Sequence, residues 1–297
     1  MLCKIQIIQW QNLSLPLIID FCDTRNKDTS FWYKNQSRKI PRTIYIDGSI
    51  ATGKSTIYTI LQYIKDVALN KTINFVICHV ILRIYFNSNI YVYELETDDK
   101  KIILEQIAGP LIVTNNNATS SIVGNTLLID WFSSLMLFPS CFDNNNDYSY
   151  YENYNHSTNY YKINELLDGY KGYFYPNQRP FFSMSLTMIN NEDFVVVNDK
   201  VNGIEQNYKI RWCHLPLSVR MLINHLELTD DIIHQTKNKV YVFDDADMIA
   251  KMIFLKIIDN RFSQDDSNFP VQFIGFINKK NLLSSYANRI VLTQSLL

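Results

Sequence analysis

The chain has 297 residues, 47% of them hydrophobic and 19% charged, with 28 basic against 29 acidic side chains. That length carries one large α/β domain or two small ones around a substantial core. A near-neutral balance argues against nucleic acid as the main partner, because a surface gripping many phosphates asks for a basic excess. The five cysteines, Cys3, Cys22, Cys78, Cys141 and Cys213, form no Cys-x-x-Cys pair, which argues against a zinc site or a disulfide framework and for reduced, mostly buried thiols.

In chain order, residues 1–40 read as an N-terminal extension. Its apolar stretch from Ile5 to Cys22 is interrupted by Gln6, Gln9, Gln11 and Asn12, and it lacks the basic start and continuous apolar block of a signal peptide. No run approaches the roughly 18 apolar residues of a membrane span. The expectation is an intracellular, cytoplasmic protein with no membrane partner.

The apolar run Thr43-Ile44-Tyr45-Ile46 then leads into Gly48-Ser49-Ile50-Ala51-Thr52-Gly53-Lys54-Ser55, the spacing of a phosphate-binding loop between a strand and a helix. Backbone N–H groups of such a loop cradle phosphate oxygens, and the following helix N-terminus favours the anion. Lys54 is the candidate cation for the β- and γ-phosphates and Ser55 the candidate magnesium ligand, so that residues 48–56 bind ATP with Mg2+. Ile57, Ile60, Leu61 and Ile64 share one helical face beyond the loop.

Asn74 to Leu82 is an apolar run suited to a buried strand, and Asn87-Ser88-Asn89 reads as a turn into a second strand over Ile90–Glu94. The pattern predicts a helix over Lys101–Val113 and a short strand, Thr126–Asp130, ending in a carboxylate. Residues 143–161, nearly all Asn, Tyr, Ser and Asp, read as an inserted low-complexity loop. Further expectations are a helix over Leu217–Leu228, a strand over Lys239–Asp245, a helix over Ala246–Ile258 and a strand over Val271–Phe276. Alternating strands and helices predict an α/β protein.

The segment Ile44 to Thr56 resembles the phosphate loop of the deoxynucleoside kinases and of herpesvirus-type thymidine kinases. Glu105-Gln106-Ile107-Ala108-Gly109-Pro110 resembles that family's base-pairing helix, and Thr126–Asp130 followed by Trp131–Pro139 resembles the strand and helix of its Asp-Arg-His motif. Val240–Asp247 resembles its late strand before the adenine loop. The resemblance implies a three-layer P-loop kinase fold with a parallel central sheet, spanning residues 41–297. It implies an ATP-dependent transferase that phosphorylates a deoxynucleoside, thymidine above all, for DNA synthesis in a large DNA virus; a homodimer is compatible with it.

On that reading Gln106 and Glu205 contact the nucleoside, Asp130 joins Ser55 on the metal, and Glu94 is the candidate base for the 5′-hydroxyl, alongside Lys54. Departures are visible. Asp130-Trp131-Phe132 stands where the family has Asp-Arg-His, and the lid region offers only Lys200, Lys209 and Arg211. Two alternatives therefore stand beside the kinase: a P-loop ATPase with Asp244 or Asp245 as its Walker B acid, and an inactive nucleotide-binding protein on a kinase fold.

Overall fold

The computed structural model describes residues 1–12, 16–22, 32–35, 38–48, 52–87, 89–109, 125–138, 160–169, 183–201, 204–215, 220, 223, 226, 239–244, 271–277 and 288–291. They fall into two compact units, the first drawn from 1–141, 235–246 and 265–297, the second from 142–234 and 247–264. Residues 143–159 of the low-complexity stretch, and the helix expected over 246–258, lie outside the described residues.

The first unit begins with β1 (Leu2–Trp10), β2 (Leu17–Asp20), β3 (Trp32–Asn35), β4 (Arg38–Pro41), β5 (Thr43–Asp47) and α1 (Lys54–Ala68). It continues with β6 (Cys78–Phe86), β7 (Asn89–Thr97), β8 (Ile102–Ala108), α2 (Asn125–Ser134) and β9 (Leu135–Phe138). The second unit holds α3 (Tyr160–Gly169), β10 (Ser183–Ile189), β11 (Glu192–Val201) and β12 (Ile204–Arg211). The chain then returns to the first unit with β13 (Lys239–Phe243), β14 (Val271–Ile277) and β15 (Asn288–Val291).

Two five-stranded sheets dominate the first unit. One has the order β2-β1-β6-β7-β8 and is antiparallel throughout. Its strands alternate: on β6, Cys78, Val80, Leu82 and Ile84 are buried while His79, Ile81 and Arg83 are half-buried, as befits a sheet with one face on the core. The other has the order β15-β5-β14-β13-β9 and is parallel throughout. Here β5 and β14 are buried at every position, as strands covered on both faces must be.

One core joins these parts. Ile44, Ile46, Val240, Val242, Ile274 and Phe276 from one face of the parallel sheet pack with Ile57, Ile60, Leu61 and Ile64 of α1 and with Leu2, Ile5, Val80, Leu82 and Tyr93 of the antiparallel sheet. The opposite face of the parallel sheet is aromatic, with Phe273 against Tyr45 at 6.3 Å and Phe243 at 4.8 Å between ring centroids. Gln272, fully buried on β14, ties the two sheets together. Its Oε1 accepts from Leu2 N–H at 2.6 Å, and its Nε2 donates to the carbonyls of Leu2 at 3.0 Å and Pro41 at 3.2 Å.

The architecture departs from the expected three-layer kinase fold with a single parallel central sheet. Three of the four sheets, the antiparallel five-stranded one, β3-β4 and β10-β11-β12, have no parallel pairing, and they hold most of the described strands. The segment expected as helix over Lys101–Val113 is the edge strand β8, because Asp98 turns the chain back on β7. Asp98 Oδ1 accepts from the N–H groups of Lys100 and Lys101, both at 2.7 Å, which closes a tight hairpin. The segment expected as strand over Thr126–Asp130 is the first half of α2. Residues 1–40, expected as an extension, supply β1 to the interior of the antiparallel sheet, between β2 and β6.

The second unit is a meander, β10-β11-β12, packed through Leu186, Val195 and Ile210 against Leu167 of α3 and against Trp212, Leu215, Ile223 and Leu226. Arg220, Ile223 and Leu226 are helical, within the helix expected over Leu217–Leu228. Among the described residues no helix is long and apolar enough to cross a membrane.

Candidate functional site

The phosphate loop leaves β5 at Asp47 and Gly48 and re-enters regular structure at Gly53, the N-cap of α1. Gly53 has φ 85°, the left-handed region in which a Cβ is strained, so the second glycine of the motif is required by the turn. Ile57 N–H donates to the Gly53 carbonyl at 3.0 Å, opening the helix. The N–H groups of Lys54, Ser55 and Thr56 therefore precede the first intrahelical bond and present the positive end of the helix dipole. No acidic side chain occupies that first turn to compete with an anion. Ser49, Ile50 and Ala51 lie outside the described residues.

Lys54 is buried, and its ammonium donates to the Gly48 carbonyl at 2.6 Å and to Thr52 Oγ1 at 3.3 Å. The charge thus folds back over the loop that would hold phosphate. Ser55 is exposed on the same helical turn. From there α1 is fixed along its length: the Tyr63 hydroxyl lies 2.9 Å from Thr97 Oγ1, and Thr97 Oγ1 donates to the Val76 carbonyl at 2.6 Å. The Lys65 ammonium donates to the Leu135 carbonyl, and burial lowers its pKa.

The parallel sheet brings a second group to the same edge. Asp244 follows β13 directly and is 1% exposed. Its neighbour Phe243 pairs with Gly275 of β14, and Gly275 pairs in turn with Tyr45 of β5. Asp244 thus stands level with Ile46, just short of the phosphate loop, with β14 alone between. Two strand spacings put it about 10 Å from the β5 axis. Alternation continues the row Val240, Val242 onto Asp244, the face on which α1 packs. Hydroxyl and carboxylate oxygens, Ser55 and Asp244, are the hard donors that magnesium takes, commonly with waters completing its shell. The residues present thus fit a magnesium nucleotide. Asp245 lies outside the described residues.

The other residues singled out from the sequence are placed elsewhere. Asp130 is exposed on α2, so it stands on a helix and not at a strand end. Gln106 is on the edge strand β8, and its Nε2 donates to Glu94 Oε2 of β7 at 2.8 Å. Glu94 Oε1 lies 2.9 Å from His79 Nε2 of β6. These three make one polar row across the solvent-facing side of the antiparallel sheet, with His79 and Gln106 each bonded to Glu94 between them. Glu205 is exposed on β12, paired in register with Lys200; Arg211 on the same strand bonds Glu192 at 3.1 Å. Asp244 is the one group of the site for which the sequence offered only an alternative, although an apolar strand ending in two acids was its signal.

The hydrogen bonds from His79 and then Gln106 hold the Glu94 carboxyl below its ordinary pKa. A depressed carboxylate stabilises the fold above its unfolded pKa, and that contribution disappears as pH falls through the lower folded value. Glu94→Gln is therefore expected to lower stability by about 0.5–1 kcal/mol near pH 7, the scale of a largely solvated pair. The gap between the two urea midpoints should close under more acidic conditions than the ordinary carboxylate pKa. A gap unchanged between pH 7 and about pH 2.5 would show that ionisation of Glu94 contributes nothing.

The sequence matches no protein-family model and no curated protein. Among solved structures the chain is similar to an SMC head bound to the C-winged helix domain of ScpA, with a TM-score of 0.51 at 10% identity over 94% of this chain and 90% of that one. A likeness at that identity is one of fold alone.

Proposed function

We propose that the chain binds ATP with magnesium at residues 48–56 and transfers the γ-phosphoryl group to water, releasing ADP and phosphate, with Asp244 as the acid on the metal side. The observation that carries this reading is the arrival of the phosphate loop and a buried carboxylate at one edge of one parallel sheet, a single strand apart. Lys54 and the first N–H groups of α1 neutralise charge on the phosphates, Ser55 and Asp244 supply metal ligands, and the loop positions the group to be transferred. Hydrolysis needs no second-substrate pocket. That agrees with Gln106 and Glu94 bonding each other on the antiparallel sheet and with Asp130 standing exposed on α2.

The test is phosphate release from Mg-ATP by the purified full chain with no nucleoside present. Asp244→Asn, nearly isosteric, should lower turnover by about 100-fold or more, the scale on which a group acting on the transition state is felt, with ATP still bound. Asp130→Asn should leave turnover within about twofold, as for an exposed side chain with no contact to the reacting groups. Equal loss in both variants, or turnover only when a deoxynucleoside is added, would overturn the assignment. ATP binding without turnover under all conditions would leave a nucleotide-binding protein.

A further inference from the structure

Cys3 lies on β1 and Cys22 just beyond the end of β2, on neighbouring antiparallel strands. The register pairs Lys4 with Asp20, and Phe21 N–H donates to the Cys3 carbonyl at 2.9 Å. Extended by two residues, it sets Cys22 opposite Leu2, one step from Cys3. A Cα separation of about 6 Å follows from strand spacing and rise, inside the range that a disulfide bridges. Strict alternation would put the two thiols on opposite faces, but the chain has already left the strand. Asp20 Oδ1 accepts from Cys22 N–H at 2.9 Å, an Asx turn that bends Cys22 over β1 and brings its Sγ within 3.6 Å of the Cys3 carbonyl oxygen. Cys22 packs against the small cluster of Met1, Cys3, Ile40 and Tyr85.

We infer that Cys3 and Cys22 are a dithiol built to close reversibly into an intramolecular disulfide, a redox-sensitive staple between the edge strand β2 and β1. The oxidant is a small disulfide such as oxidised glutathione. Cys22 is partly exposed and Cys3 buried, which sets the order of events. The Cys22 thiolate attacks one glutathione sulfur, forming a mixed disulfide and expelling a glutathione thiolate. The Cys3 thiolate then attacks the Cys22 sulfur, forming the Cys3–Cys22 bond and expelling the second. Two cysteine thiols are oxidised, one glutathione disulfide is reduced, and the two cysteine protons pass to the two leaving thiolates. The hydrogen bond from Cys22 draws the Cys3 thiol below its usual pKa against the opposing effect of burial, which favours the second step. Cys78, pushed up to about 12 by burial, stays a thiol and does not compete.

The experiment uses the full chain, oxidised glutathione, alkylation of the remaining thiols and peptide mass spectrometry without reduction. The expected product links Cys3 to Cys22, is reversed by dithiothreitol, and melts a few degrees above the reduced chain, while the exposed Cys213 carries a glutathione. Cys22→Ser should lose both the link and the melting shift. Alkylated thiols at Cys3 and Cys22, or a stable glutathione adduct on Cys22, in a sample whose Cys213 is fully modified, would overturn the inference. So would a link from either residue to another cysteine.

Discussion

Lys54→Ala is expected to bind Mg-ATP about 100-fold or more weakly than the parent chain, with phosphate release falling at least as far. The ammonium is the one side-chain cation that the loop presents, and charge-assisted hydrogen bonds to phosphate are worth roughly 1.5–3 kcal/mol each. Contact with two phosphates gives about 3–6 kcal/mol, or roughly two to four orders of magnitude in affinity. The fold should survive. Among the described residues Lys54 bonds to Gly48 and Thr52 of its own loop, and the packing of α1 rests on Ile57, Ile60, Leu61 and Ile64. Calorimetric titration with Mg-ATP, beside a melting curve for each protein, separates the two effects. Equal affinity in variant and parent would remove the phosphate loop from the account of the site.

Gln272→Leu should produce the largest loss of stability among single changes to the polar groups described. The substitution keeps the volume roughly constant and removes an amide that makes three buried hydrogen bonds to Leu2 and Pro41. One N–H and two carbonyl groups are then stranded, each costing about 1–3 kcal/mol when water cannot reach it. Partial relaxation leaves about 3–5 kcal/mol, a large share of the roughly 5–15 kcal/mol that holds an ordinary domain together. A shift of this size is read directly from the urea midpoint. Gln62→Leu, on the exposed side of α1, is the control and should shift stability by less than about 0.5 kcal/mol. Similar shifts in both variants would mean that the two sheets are not held together through Gln272.

The parts that were legible in the sequence are those in which local pattern and tertiary role agree. The strand β5, α1, β13 and β14 satisfy periodicity and burial at once, and the turn at Asn87 to Asn89 gave the hairpin of β6 and β7. Where the two diverge, pattern misleads. In β8, Ile103 with Ile107 and Leu104 with Ala108 have helical spacing, but the Asp98 turn and the density of isoleucine favour a strand, and the tight turn decides. In α2 the run Leu127-Leu128-Ile129 reads as strand, although Trp131, Phe132 and, at the junction with β9, Leu135 are buried while Ile129 is 41% exposed. Register shifts between Leu2 and Lys4 and between Ile7 and Gln9 break the alternation of β1, so its core residues looked irregular. The acid at the end of β13 was visible, but ranking it against Asp130 required knowing which of the two ends a strand of the parallel sheet.

The strand order of that sheet also governs how the molecule is made. The phosphate-loop strand β5 (Thr43–Asp47) has as its two neighbours β14 (Val271–Ile277) and β15 (Asn288–Val291), and the clamp on Leu2 reaches 270 residues along the chain. The antiparallel sheet next to it closes β6, β7 and β8 through short local turns. Local hairpins form on a microsecond scale, whereas parallel pairing across hundreds of residues must first meet the entropy of closing a long loop. During synthesis α1 therefore emerges long before the strands that flank β5, and the strand that carries the most conspicuous loop of the sequence gains its two neighbours only when the C-terminal strands have been added.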